Sequence, residues 1–183
     1  MDISLFNFLY SFAHRSPLFD ALIVFFGSYI PFLLGIAFFL APFFCFSDWR
    51  KRMFLFLGLA LSALLSRGLF VPLIRFAYHR PRPFVAMDLD ALITSSSFSF
   101  PSGHAILFFA LSFFLLFFAK KAGVLFLFAS LVVSLFRVVA GAHYPSDILG
   151  GMVLGALAAF IVFQLLPSRA IFPRSIPTED HKE

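Results

Sequence analysis

The sequence predicts an all-α protein: a polytopic membrane bundle of about five transmembrane helices, with an N-terminal interfacial helix and a short re-entrant helix before them. Three observations carry that prediction. Of the 183 residues, 61% are hydrophobic and only 13% are charged, far from the composition of a soluble domain. Apolar runs of spanning length recur, separated by short polar turns. Most basic residues gather in those turns, with Arg67 and Arg137 inside apolar runs.

Residues 2–14 alternate apolar and polar groups at helical spacing, with Phe6, Leu9, Tyr10 and Ala13 on one side. The segment is too short to span and is expected to lie in the interface, closed by Pro17. The run Leu18–Phe46 contains Gly27, Ser28 and Pro31. A straight helix of that length would reach about 43 Å, against a hydrocarbon core of about 30 Å. A re-entrant piece to about Phe26 followed by a span over Tyr29–Phe46 is therefore expected, with Asp20 near the headgroups. Met53–Ile74, Ala105–Ala119, Val124–Ala140 and Ile148–Leu166 form the remaining spans. In the last of these, Gly151 and Gly155 are spaced to admit a neighbouring helix closely.

Residues 1–166 read as a single domain, and 167–183 as a polar, proline-rich, mobile tail. The start has no Lys or Arg before Arg15, so it lacks the basic region of a cleaved signal peptide. Cys45 stands alone in an apolar run and excludes a disulfide framework; a buried, small hydrophobe is expected there. The net charge of +5 lacks any basic-aromatic groove, which argues against a nucleic-acid partner.

Alternating the spans puts Arg50, Lys51, Arg52, Lys120, Lys121 and the tail, with Arg169, Arg174 and Lys182, on one side. The positive-inside rule makes that side cytoplasmic. The 75–101 loop, the 140–147 turn and the N-terminal helix then share the outer face.

Those two outer segments hold the chemistry. In Phe136–Asp147, Gly141 lets one helix close and Pro145 opens the next. Asp147 falls near the third helical position, from which it can reach back to His143. A histidine oriented by a carboxylate, beside an Arg137 able to bind two oxyanion oxygens, suits attack on phosphorus. Read by itself, the same pattern is also a helix-capping pair with an interfacial arginine. In Pro101-Ser-Gly-His104 a proline again opens a helix, so the N–H groups of Ser102, Gly103 and His104 can face an anion. Gly103 permits close approach, and His104 can give a proton to a leaving oxygen.

The ordered set Arg75-x6-Arg82-Pro83, Pro101-Ser-Gly-His104 and Arg137-x5-His143-x3-Asp147 resembles the three-part signature of the type 2 phosphatidic acid phosphatase superfamily. That superfamily contains lipid phosphatases and vanadium-dependent haloperoxidases. The resemblance covers roughly residues 17–166. Two positions depart from it: Arg75 stands where lysine is usual, which changes the reach and fork of the cation, and Phe136 stands where serine is usual, which removes a hydroxyl.

The resemblance implies a phosphohistidine mechanism. His143 would attack phosphorus with its tautomer fixed by Asp147. Arg75, Arg82, Ser102, Gly103 and Arg137 would hold the equatorial oxygens, and His104 would protonate the leaving oxygen and then activate water. No metal, other cofactor or obligate protein partner is expected; Asp88 and Asp90 alone make a poor metal site. The Arg82–Ala86 segment and the amphipathic beginning look like the bacitracin-resistance type of undecaprenyl-diphosphatase. Such enzymes act on a polyprenyl carrier at the outer face of the cytoplasmic membrane, in peptidoglycan biosynthesis. Phosphatidylglycerophosphate, phosphatidic acid and lipid A phosphate are alternative substrates, and a non-catalytic lipid-phosphate binder is the alternative class. Embedding of the whole chain argues against halide oxidation.

Other polar residues have simpler readings. His79, Arg80, Tyr78 and Tyr144 are expected to anchor the interface, with Tyr144 also able to wall a pocket. Ser95–Ser97 are expected to be a solvated loop. Arg67 is divided equally between structural pairing and the phosphate site.

Overall fold

The computed structural model describes residues 1–167, 171 and 172, and all its regular structure is helical. Seven helices follow in order: α1 (Asp2–Tyr10), α2 (Pro17–Cys45), α3 (Trp49–Ala77), α4 (Pro83–Ala86), α5 (Gly103–Phe118), α6 (Lys120–Val139) and α7 (Pro145–Leu165). Helices α2, α3, α6 and α7 are long and apolar enough to cross a membrane. Helix α5 has 16 residues, about 24 Å, and is packed among the others. Its Ala105, Ile106, Ala110 and Leu115 are fully buried, so it is screened from lipid by its neighbours. Most of the expected tail, including Arg169, Arg174 and Lys182, lies outside the described residues.

Two expected boundaries are corrected. Pro17 does not close the first helix, which ends at Tyr10; it opens α2 at the first helical position, capped by the Ser16 hydroxyl accepting from Phe19 N–H at 3.2 Å. The re-entrant break is absent, because α2 runs 29 residues without interruption. A π turn over Phe25–Tyr29 absorbs the irregularity just before Pro31. Pro31 has no N–H to offer the carbonyl four residues back, Gly27 O, and Arg137 Nη1 donates to that oxygen at 2.8 Å instead. Helix α3 repeats the device with a π turn over Leu64–Phe70 before Pro72.

Lipid tails are as apolar as leucine, so the helices associate by close packing and polar contacts more than by exclusion from water. The glycine spacing in α7 serves that packing. A methyl group on Gly151 would stand 2.8 Å from Ala105 Cβ, and one on Gly155 would stand 2.7 Å from Ile106 O. The α7 backbone therefore lies directly on α5. Ser112 and Ser130 join α5 to α6 through a hydroxyl contact of 3.1 Å. Cys45 is half-buried rather than buried.

Helix α1 lays Phe6, with no exposed surface, against Val138, Tyr144 and Ile148. Tyr144 is consequently buried beneath α1. Asp20 braces the turn between α1 and α2 by accepting from His14 N–H at 2.8 Å.

Candidate active site

Three segments converge at one end of the bundle. Gly141, at φ +80°, ends α6 and turns the chain into the Ala142–Tyr144 link, and Pro145 starts α7. The link carries His143, and the first turn of α7 carries Asp147. The 78–102 connection brings Arg80, Arg82, Ser95, Ser97 and Ser99 across the same end, and α5 begins there with Gly103 and His104.

His143 is 1% exposed, and its Nδ1 lies 3.4 Å from Asp147 Oδ2. Asp147 is held in turn. Its Oδ2 accepts from Tyr144 N–H at 2.9 Å and from the Ser99 hydroxyl, while its Oδ1 accepts from Arg80 Nη1 at 2.7 Å. On the other ring edge, His143 Nε2 lies 3.3 Å from Arg82 Nη1. A guanidinium N–H can only donate, so Nε2 offers its lone pair and the neutral ring carries its proton on Nδ1, toward Asp147. Burial foremost, with Arg82 and Arg137 acting against the pull of Asp147, pushes the His143 pKa down to about 4. The ring is thus a neutral nucleophile at neutral pH.

Nδ1 has no aligned hydrogen-bond partner in this state, which leaves the carboxylate free to tighten as positive charge develops on the ring.

The arginines divide into two kinds. Arg75 donates to Pro101 O at 2.9 Å, Arg82 to Ser97 O at 2.7 Å and Ala142 O at 2.9 Å, and Arg137 to Gly27 O at 2.8 Å. Neutral carbonyls orient these three without cancelling their charge. Burial and the nearby Arg75 bring Arg82 down to about 10, still protonated at neutral pH.

Arg80 differs. It bridges Asp147 to Asp2, whose Oδ2 it meets at 2.8 Å, and its guanidinium lies 4.1 Å above the Tyr144 ring. Burial pulls its pKa down, but the bonds and charges of Asp2 and Asp147 more than offset this and raise it. Asp2 also accepts from Ser146 N–H at 3.0 Å and the Ser146 hydroxyl at 2.6 Å. The expected interfacial role of Arg80 is therefore corrected: buried Asp147 needs a counter-charge, and Arg80 supplies it.

Arg67, Arg75, Arg82, Ser95, Ser97, Gly103, His104, Arg137 and His143 line one cavity of about 80 Å³. Four guanidinium groups line it, and among the described residues no carboxylate does. Seven of the eight expected site residues meet here or directly behind it, as Asp147 does. Ser102 is the eighth: its N–H is taken by Asp147 O at 3.2 Å and its hydroxyl is buried without a partner, outside the lining. Ser96 and Ser97 are exposed, as expected of a solvated loop, but Ser95 and Ser97 also line the cavity, and Ser97 holds Arg82 through both its carbonyl and its hydroxyl. Phe136 stacks on Phe26 at 4.8 Å and packs α6 on α2. His79 is exposed against Phe98, as an anchor would be.

Among the described residues no three His, Cys, Asp or Glu side chains group as metal ligands.

A family model described as the PAP2 superfamily matches residues 51–171, well over half the chain. The chain belongs to the PAP2 superfamily of membrane phosphatases and is a phosphoric ester hydrolase. Among curated proteins it is 30% identical to the undecaprenyl-diphosphatase BcrC of Bacillus subtilis, over 90% of this chain and 83% of that protein. A bacitracin transport permease protein BcrC of Bacillus licheniformis is 45% identical over 38% of this chain, a match that spans about a third (34%) of that protein's length. Aquifex aeolicus LpxE has the same fold, with a TM-score of 0.71 at 22% identity over 89% of this chain and 94% of that one. A phosphatidylglycerolphosphate phosphatase from Bacillus subtilis gives a TM-score of 0.61 at 23% identity, over 93% and 88%.

Proposed function

We propose that this protein hydrolyses the terminal phosphate of undecaprenyl diphosphate, through a phosphohistidine on His143, at the outer face of the cytoplasmic membrane. The observation that carries the reading is a buried, neutral His143, backed by Asp147 and facing a small cavity of uncompensated arginines. Phosphoryl transfer calls for positioning and positive charge more than for covalent machinery.

His143 Nε2 attacks phosphorus while Asp147 stabilises the ring as it becomes cationic. Arg75, Arg82 and Arg137, with the Gly103 N–H as a further donor, take the equatorial oxygens. His104, whose ring nitrogens make no hydrogen bond among the described residues, protonates the leaving oxygen and then draws a proton from the water that frees phosphate. The reaction needs no metal. The 30% identity to an undecaprenyl-diphosphatase along most of both chains supports the substrate. Basic turns at the opposite end, Arg50–Arg52 and Lys120–Lys121, support an outward site.

Phosphatidylglycerophosphate is the competing substrate, because a phosphatidylglycerophosphatase B of Bacillus subtilis is 36% identical over 43% of this chain. Phosphate release by the purified protein from undecaprenyl diphosphate, phosphatidylglycerophosphate and lipid A, in chelator, tests the reading. Fastest turnover of the diphosphate is expected, with loss in His143→Ala and His104→Ala. Acid-labile, alkali-stable label from β-32P substrate should be found on the wild type and not on His143→Ala. Preference for a monoester, or label elsewhere, would sink it.

A further inference from the structure

One cation of the cavity has no task in the reaction just described. Arg67 sits in the π turn of α3, about 15 Å short of the outer end of that helix at Ala77. Its guanidinium forms no hydrogen bond or ion pair among the described residues, although Arg75, Arg82 and Arg137 each rest on a carbonyl. An arginine within a spanning helix and without a carboxylate partner is costly unless it meets an anion from elsewhere.

Its position indicates which anion. A methyl group built on Gly103 would collide with Arg67 Nη1 and lie 3.3 Å from its Cζ, so the guanidinium lies over the start of α5, next to His104. Arg82 and Arg137, 4% and 6% exposed, are the buried cations of the cavity, and Arg82 lies against His143. Arg67 is exposed, lines the same cavity, and lies against Gly103 at the start of the helix that carries the leaving-group acid. A leaving alkoxide requires only a proton from His104. A leaving phosphate brings negative charge of its own, which requires a cation at that spot.

We propose that Arg67 binds the inner, leaving phosphate of a lipid diphosphate and so makes the site selective for diphosphates over monophosphates of the same lipid. This rests on the phosphohistidine reading and deepens it. The His143 Nε2–P bond forms as the bond from the terminal phosphorus to the bridging oxygen breaks. The bridging oxygen keeps the electron pair and leaves on the lipid phosphate, taking the proton of His104 while Arg67 neutralises its remaining charge. Water then attacks phosphorus, the P–N bond breaks, His104 recovers a proton and inorganic phosphate departs.

The test is a comparison of farnesyl diphosphate and farnesyl phosphate as substrates of the full-length wild type, Arg67→Gln and Arg67→Lys in detergent, with inorganic phosphate as product inhibitor. Expected in Arg67→Gln is a fall of roughly ten- to hundredfold in kcat/KM for the diphosphate. The fall for the monophosphate should stay below about threefold, and phosphate inhibition should be little changed, because the transferred group sits on the other arginines. Arg67→Lys should recover part of the loss on the diphosphate alone. Equal falls on both substrates, or no fall on either, would overturn the assignment while leaving the phosphohistidine reading intact. A wild type that hydrolyses only the monophosphate would overturn both the assignment and the proposed substrate.

Discussion

Replacing Arg80 with glutamine should damage catalysis although Arg80 is absent from the cavity lining. In the native site it gives 2.7 Å and 2.6 Å hydrogen bonds to Asp147 Oδ1 and the Ser146 hydroxyl, and a 2.8 Å ion pair to Asp2. Asp147 would keep Ser99 and the Tyr144 N–H on Oδ2 but lose the Arg80 cation on Oδ1. Hydrogen bonds to charged groups contribute about 1.5–3 kcal/mol each. The Arg80 side chain is 20% exposed, so the lower part of that range applies. About 2 kcal/mol lost from the orientation of Asp147 lowers kcat about thirtyfold.

Asp2→Asn acts one link further out, at a carboxylate 31% exposed, and should cost about two- to fivefold. The double variant should lose less than the product of the two, since both work through one network.

The assay is kcat/KM against pH on protein whose thermal transition in detergent has been measured. Removing Arg80 leaves the charge of Asp147 less compensated, which favours the imidazolium, so the acid limb set by His143 moves to higher pH. A folding defect lowers the plateau and leaves the limb in place. Wild-type kcat in Arg80→Gln, or a loss matched entirely by a loss of folded protein, would refute the reasoning.

Two further predictions concern pH and packing. Because the folded His143 pKa of about 4 lies below the usual 6.5, the unfolded chain binds the extra proton between those values. The associated stability, about 3 kcal/mol, is fully present above pH 6.5 and is lost as pH falls toward 4; the thermal transition of the wild type should therefore fall across that window relative to that of His143→Phe, and parallel curves would refute it. The kcat/KM of the free enzyme should likewise be lost on acidification near pH 4 and not near 6.5. Gly155→Val should lower the thermal transition sharply, because its first carbon meets Ile106 O at 2.7 Å and Ala110 N at 2.8 Å, both backbone atoms that cannot turn aside. An unchanged transition would mean that α5 and α7 are not in that register.

What the sequence disclosed depended on how local each signal was. Spans, turns and the backbone glycines of α7 follow from composition and short-range spacing, and the His143–Asp147 pair follows from four residues at a helix start. Asp2 and Arg80 are 78 positions apart, and Asp2 and Ser146 are 144 apart, so nothing local marks them as partners. An acidic residue at the start of α1 reads as a complement to the helix dipole. Arg80 and Arg82 stand in one Arg-Pro-Arg-Pro run, and only tertiary structure reveals that one faces carboxylates and the other carbonyls. The continuity of α2 was hidden for a related reason. Gly27 and Pro31 read as a break until the freed Gly27 carbonyl is seen to be occupied by Arg137, 110 positions away.

That contrast between acceptors bears directly on function. A guanidinium paired with a carboxylate has little charge left for a substrate, whereas one held by a carbonyl keeps nearly all of it. Converting one kind into the other therefore separates orientation from charge. Ser97 offers the place, since its hydroxyl accepts from Arg82 Nη2 at 3.0 Å and the residue is exposed enough to tolerate a carboxylate. Ser97→Asp keeps Arg82 anchored and should leave the thermal transition unchanged or slightly raised. Two unit charges about 4 Å apart interact by about 4 kcal/mol at a protein surface, before the discount for exposure. That weakens the hold on the transferred phosphate by roughly ten- to hundredfold, read as a higher KM and weaker inhibition by inorganic phosphate. Ser97→Asn, which keeps an acceptor oxygen without the charge, should stay within about threefold of wild type. If the two variants behaved alike, the charge of Arg82 would not be what the phosphate binds, and the carbonyl-held arginines would be scaffolding.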